Sequence, residues 1–201
     1  MKKFLFPFVT MLAMSLSAFT INNVLPIGAG MPLADRKMMD VSGKEISLLD
    51  AKKEAGLLVM FSCNTCPYVV KNEARTKVVS QYAQQKGLGV ILINSNEAQR
   101  DDDDAYTAMQ AYAKKQGYKW HYVVDKDSKM ADACGASRTP ECFLFNKEGK
   151  LVYHGAIDDN PGNGNAVSRQ HLKTAMDEML SGKQISVTTS RSVGCAIKRK
   201  S

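Results

Sequence analysis

Apolar and polar positions change period several times along this chain, and each change marks an element. Leu57-Leu58-Val59-Met60-Phe61 and Leu88-Gly89-Val90-Ile91-Leu92-Ile93 are unbroken apolar runs, the pattern of strands buried on both faces. Between them Val69, Val70, Ala74, Val78 and Tyr82 recur at helical spacing, which predicts a helix from Pro67 to about Gln85, ended by Gly87. A second helix is expected from an Asp104 cap through Met109 and Tyr112 to Gly117. Tyr122–Val124 reads as a strand, Ser128–Cys134 as a short helix, and Phe143–Phe145 and Leu151–His154 as partner strands across the Asn146–Lys150 turn. A last helix spans about Ser168 to Leu180. Upstream, Asp40-Val41-Ser42-Gly43-Lys44 is a turn between short extended pieces, a candidate hairpin. Strands alternating with helices argue a layered α/β domain with a mixed sheet.

Composition narrows the class. The chain has 201 residues, 44% hydrophobic and 23% charged, which fits one globular domain and excludes a disordered or fibrous protein. The net charge of +7 does not form one patch. Lys2 and Lys3 head the chain, Arg191, Lys198, Arg199 and Lys200 crowd its end, and the stretch between is almost neutral, so no nucleic-acid partner is expected. The basic Met1-Lys2-Lys3, the apolar run Phe4–Leu16 and the small residues around Ser17-Ala18 form the pattern of a secretory signal peptide. The run is short for a membrane span. The expected organisation is a signal peptide at 1–18 (cleaved somewhere within 17–30), a leader at 19–30, a folded domain at 31–185, and a polar tail at 186–201 that carries Cys195. After cleavage the protein is expected without a membrane span, in the periplasm or outside the cell, where cysteine pairs can be oxidised.

The chemistry concentrates at Phe61-Ser62-Cys63-Asn64-Thr65-Cys66-Pro67, where the first buried strand hands over to a helix. Two intervening residues let both sulfurs meet across one turn, and a helix N-terminus favours a thiolate. Cys63, nearer the strand, is expected to be the more exposed, attacking thiol, with Cys66 one turn deeper as its partner. Pro67 qualifies that assignment: a helix starting there makes Cys66 the N-cap and hands it the same advantage. Two blander readings stand beside a redox pair, a structural disulfide and a zinc site. Zinc wants a second Cys or His pair at matched spacing, and Cys134, Cys142, Cys195, His121, His154 and His171 supply none, so no metal is expected.

The strand–CxxC–helix resembles the thioredoxin superfamily, and Arg138-Thr139-Pro140-Glu141 before Cys142-Phe143-Leu144-Phe145 looks like that superfamily's Thr–cis-Pro loop. Together with Cys66-Pro67-Tyr68-Val69, Gly155-Ala156-Ile157-Asp158-Asp159-Asn160 and Gly194-Cys195-Ala196-Ile197-Lys198, these segments are similar to the peroxiredoxin-like redoxins related to the alkyl hydroperoxide reductase and thiol-specific antioxidant proteins, over about residues 31–200. The resemblance implies a thioredoxin-like three-layer sandwich with a mixed central sheet flanked by helices. It implies a dithiol of Cys63 and Cys66, a substrate-binding segment at Thr139 and Pro140, and no cofactor. The peroxiredoxin signature Pro-x-x-x-Thr-x-x-Cys is absent. Counting back from Cys66, Val59 and Cys63 stand in its Pro and Thr places; counting from Cys63, Gly56 and Met60 do.

The leading expectation is an exported thiol–disulfide oxidoreductase acting on protein thiols and disulfides or on small thiols. A thiol peroxidase acting on hydroperoxides and a metal-holding chaperone or binding module are the alternatives. Cys134 and Cys142 are expected as packed core thiols. Cys195, on a polar tail, is a candidate resolving or intermolecular thiol. Asp101–Asp104 reads as a solvated loop with a helix cap rather than a calcium site, and Asp158–Asn165 as a turn-rich loop. The methionines read as core filler.

Overall fold

The computed structural model describes residues 24–200; the expected signal peptide and the first part of the leader lie outside them. In chain order the elements are β1 (Met38–Asp40), β2 (Glu45–Ile46), α1 (Leu48–Ala51), β3 (Leu57–Phe61), α2 (Pro67–Gln85), β4 (Gly89–Asn94), α3 (Tyr106–Gln116), β5 (His121–Val124), α4 (Lys129–Cys134), β6 (Arg138–Thr139), β7 (Glu141–Phe145), β8 (Leu151–Gly155), α5 (His171–Leu180) and β9 (Cys195–Ala196). Seven strands form one mixed sheet in the order β2-β1-β5-β4-β3-β7-β8, with β3, β4 and β5 parallel and the outer pairings antiparallel. The predicted hairpin at Asp40–Lys44 is present as β1 and β2.

The apolar runs are unbroken because both faces of the central strands are covered. Leu58, Met60, Val90 and Leu92 point to one side, against Val79 and Ala83 of α2, Met109 of α3 and Leu172 and Met176 of α5. Leu57, Val59, Phe61, Ile91 and Ile93 point to the other, against Leu48 of α1 and Met130 and Ala131 of α4. Helix, sheet and helix thus make the three layers expected. Cys142 joins the first core and Cys134 the second, both fully buried, and burial pushes the Cys134 thiol up to about 12. They are packing residues. Among the described residues no helix is long and apolar enough to cross a membrane.

Two local expectations need correction. Helix α3 begins at Tyr106 with Ala105 at the N-cap and no side-chain cap, so Asp104 is not a helix cap. Its carboxylate turns inward and is fully buried, while Asp101, Asp102 and Asp103 stay in solvent. The segment from 186 onward is not a free tail either. The β8 residue His154 donates its N–H to the Thr188 carbonyl and accepts the Ser190 N–H, the Ser190 hydroxyl accepts from the Ala156 N–H, and β9 pairs with β6 as a separate two-stranded ribbon. Polar composition hid this, because the segment is held mainly through its main chain.

Candidate active site

Strand β3 ends at Phe61, and Ser62 makes one further ladder bond to the Ile93 carbonyl (2.9 Å) before the chain turns through Cys63–Cys66. Helix α2 then starts at Pro67, whose missing N–H is no loss in a first turn, and Cys66 is its N-cap. The two sulfurs lie side by side with Val69 at the start of this 19-residue helix. Both are buried, Cys63 at 1% and Cys66 at 5% exposure, so the expectation that Cys63 is the more exposed does not hold. Cys63 is covered by Thr139, and with Pro67 as the first helical residue it is Cys66 and not Cys63 that stands at the helix end.

Thr139 meets both thiols. Its hydroxyl oxygen lies 3.5 Å from Cys63 Sγ, and the neutral Cys66 thiol donates to its carbonyl oxygen at 3.2 Å. The Thr139–Pro140 bond is cis, as the sequence predicts. Glu141 sets the loop: its carboxylate accepts the N–H groups of Ser137 (2.8 Å) and Arg138 (2.9 Å) and pairs with His154 Nε2 at 2.7 Å.

The ionisation order follows from these contacts. The Cys63 thiol beside Cys66 holds the Cys66 sulfur well below the ordinary thiol range against the cost of burial; the Cys195 thiol and the Val69 N–H add to the effect. Cys63 is pushed up, first by its contact with the Cys66 sulfur, then by burial, with the Asp104 carboxylate opposing its ionisation as well. The pair therefore loses its first proton at Cys66 and holds the second on Cys63.

Beneath the CxxC turn lies a polar cluster that sequence reasoning missed. Asp104 accepts from the Asn64 main-chain N–H (2.9 Å), Asn94 Nδ2 (2.7 Å) and Asn96 Nδ2 (2.8 Å). The Tyr122 hydroxyl donates to Asn64 Oδ1 at 2.9 Å, and Asn64 Nδ2 reaches the Asp103 carbonyl at 2.8 Å. Asn64, the first of the two residues between the cysteines, is thus anchored by three bonds, of which the buried one to the Asp104 carboxylate is charge-assisted, while Thr65 stays exposed. The available signal was an Asp at the inner end of an acidic run and Asn94–Asn96 closing a buried strand, too common a pattern to read as a site.

The C-terminal segment crosses the site. Cys195 pairs with Thr139 and Ala196 with Arg138 in antiparallel register. Gly194 is needed there, because a Cβ on it would sit 2.1 Å from the Thr139 carbonyl oxygen. Ile197, 5% exposed, anchors the segment in the second core, and the Lys198 N–H donates to Asn96 Oδ1 at 2.9 Å, tying the strap to the Asp104 cluster. Cys63, Cys66, Asn96, Cys195 and Lys198 line a cleft of about 140 Å³. The structure therefore brings together all the predicted site residues, Cys63, Cys66, Thr139, Pro140 and Cys195. The Asp158–Asn165 loop docks elsewhere: Arg75 of α2 holds both Asp158 carboxylate oxygens (2.6 and 2.7 Å) and the Asn160 and Pro161 carbonyls. Among the described residues no group of three or more His, Cys, Asp or Glu is arranged to hold a metal ion.

Comparison with known proteins agrees with this architecture. The chain is 36% identical to a hypothetical protein from Sinorhizobium meliloti 1021 (TM-score 0.79, covering 89% of this chain and 97% of that one). It is 32% identical to an uncharacterized conserved protein from Geobacillus kaustophilus (TM-score 0.81, 89% and 94%). Among curated proteins it is 29% identical over 119 residues to the thiol-disulfide oxidoreductase ResA of Bacillus anthracis, which is 56% of this chain and spans 61% of that protein's length. The Redoxin sequence profile matches residues 26–170, from the approach to β1 through the Asp158 loop, and the chain belongs to the Redoxin family.

Proposed function

We propose that this protein is a thiol–disulfide oxidoreductase in which Cys63 and Cys66 are the exchanging pair and the Arg138–Thr139 edge before Pro140 receives the substrate. The single observation that carries this reading is the buried dithiol at the N-terminus of α2, with both sulfurs against Thr139. The thiol–disulfide oxidoreductase named among its relatives supports the same chemistry.

In the reducing direction the Cys66 thiolate attacks a substrate disulfide. A Cys66–substrate bond forms, the substrate disulfide breaks, and one substrate sulfur leaves as a thiolate and takes a proton. Cys63, freed of its proton, then attacks Cys66 Sγ, which releases the second substrate sulfur and leaves the Cys63–Cys66 disulfide. Two electrons have passed to the substrate, and the reverse sequence oxidises a dithiol. Thr139 positions both sulfurs, and the Asp104 cluster fixes the turn that carries them. Protein thiols or disulfides and small thiols are the substrates we assign. The chain is also assigned to an exported compartment, on the signal-peptide pattern of residues 1–18 and the oxidisable dithiol; intact-mass analysis of exported protein checks this, and retention of residue 1 contradicts it.

Insulin reduction in dithiothreitol tests the activity. Wild type is expected to accelerate it, and Cys63→Ser and Cys66→Ser are each expected to lose that acceleration. Hydroperoxide consumption with no acceleration of insulin reduction would move the assignment to a peroxidase.

A further inference from the structure

Cys195 is the one thiol of the site that the exchange above does not use, yet it is held there by more than proximity. Its strand pairs with the same main-chain edge, Arg138–Thr139, that precedes Pro140. Gly194 passes against the Thr139 carbonyl in a space that admits no side chain. Ile197 is buried in the core, and Lys198 is tied through Asn96 to the cluster under the CxxC turn. The Cys195 side chain packs against the Cys63, Cys66 and Val69 group and shares one small cleft with both sulfurs. An extended segment in antiparallel register on the edge, with its cysteine facing Cys66, has the form of a bound protein substrate.

We propose that Cys195 is a third exchanging thiol, and that residues 194–196 are an internal substrate occupying the edge on which an extended, Gly-Cys-containing segment of a partner protein docks. This rests on the reading of Cys63–Cys66 as the exchanging pair. From the oxidised state, the Cys195 thiolate attacks Cys66 Sγ. The Cys66–Cys195 bond forms, the Cys63–Cys66 bond breaks, and Cys63 leaves as a thiolate and takes up the proton that Cys195 released. One disulfide is present before and one after, so the step needs no outside oxidant or reductant. The strap is then locked over the site until a thiol attacks the new bond. A partner that docks must displace residues 194–196, and the close approach at Gly194 sets its preference for glycine before its cysteine.

The test is disulfide mapping of the full-length chain after oxidation with oxidised glutathione, by non-reducing proteolysis and mass spectrometry. The proposal expects an intramolecular Cys66–Cys195 peptide alongside Cys63–Cys66 in wild type, and Cys66–Cys195 in monomeric Cys63→Ser. In Gly194→Ala the Cys66–Cys195 share should fall roughly fivefold to tenfold, as overpacking strain lifts the strap, while Cys63–Cys66 still forms and reports an intact fold. Cys195 that stays fully alkylated in oxidised wild type, or that forms only intermolecular disulfides, overturns the proposal while Cys63–Cys66 formation leaves the exchange reading standing. Formation of neither pair sinks both readings together. For the docking edge, a peptide disulfide with Gly before its cysteine should be reduced faster than the same peptide with Ile there; equal rates overturn that part.

Discussion

Replacing Asp104 by Asn probes the cluster under the CxxC turn with the least change of shape. The carboxylate is fully buried; one oxygen takes the Asn64 N–H and Asn94 Nδ2, the other Asn96 Nδ2. An amide can keep its oxygen toward the first two donors, but its NH2 group then faces the NH2 of Asn96. Two bonds lose their charge and one is lost outright. With hydrogen bonds to charged groups contributing about 1.5–3 kcal/mol each, and neutral ones about 1, the expected loss is about 2.5–7 kcal/mol. For a chain of this size each kcal/mol lowers Tm by about 2–4 °C, so thermal unfolding should shift by at least about 5 °C and by as much as roughly 28 °C. The same substitution removes a negative charge that opposes ionisation of Cys63, so the Cys63 thiol should titrate lower, read by alkylation rate against pH. Asp102→Asn, exposed on the same turn, is the control and should stay within about 0.5 kcal/mol. A change in Asp104→Asn as small as that of the control, with an unmoved Cys63 titration, would refute the assignment of this cluster.

Three further outcomes are expected. Limiting iodoacetamide should label Cys66 before Cys63, at a rate nearly level from about pH 6 to about pH 8, where a free thiol of pKa about 8.5 gains roughly tenfold in thiolate per unit; a Cys66 rate climbing like that of a free thiol would contradict the lowered pKa. Ile197→Ala should cost about 2–4 kcal/mol in denaturant unfolding and raise Cys66 alkylation at the same time, because the anchor of the strap lies in the core; unchanged stability would show that the strap is not seated there. Arg75→Ala leaves the buried Asp158 carboxylate without its partner, and a loss of about 3 kcal/mol is expected by the same measurement, with no loss of insulin reduction, since this pair lies outside the thiol site.

The sheet was legible because burial on both faces makes strands such as Leu57–Phe61 continuous in sequence. The extent of α2 was legible between Pro67 and Gly87, but not its core face, since Val70, Ala74 and Val78 are exposed while Asn72, Glu73, Thr76, Val79, Ser80 and Ala83 turn inward. The CxxC was legible for its position between them. Which cysteine gains from the helix depended on one residue of helix start, the least reliable feature of any sequence pattern, and Pro67 decided it for Cys66. Asp104 looked like the last of four solvent carboxylates, since nothing in an acidic run distinguishes a side chain that turns inward onto three amide donors. The Gly194–Lys198 motif was legible but its docking was not, because only Ile197 is an apolar anchor; the rest is held by main-chain bonds that composition does not record.

The central claim is that Cys63 and Cys66 form one exchanging couple. Its most direct test is a redox titration of the Cys195→Ser chain in dithiothreitol buffers, quenched by alkylation and read by peptide mass. The account predicts that Cys63 and Cys66 lose their labels together, in a single two-electron step of about 30 mV per decade of the buffer ratio. Labels that remain on both cysteines across the whole range, or that disappear at separate potentials, would contradict it.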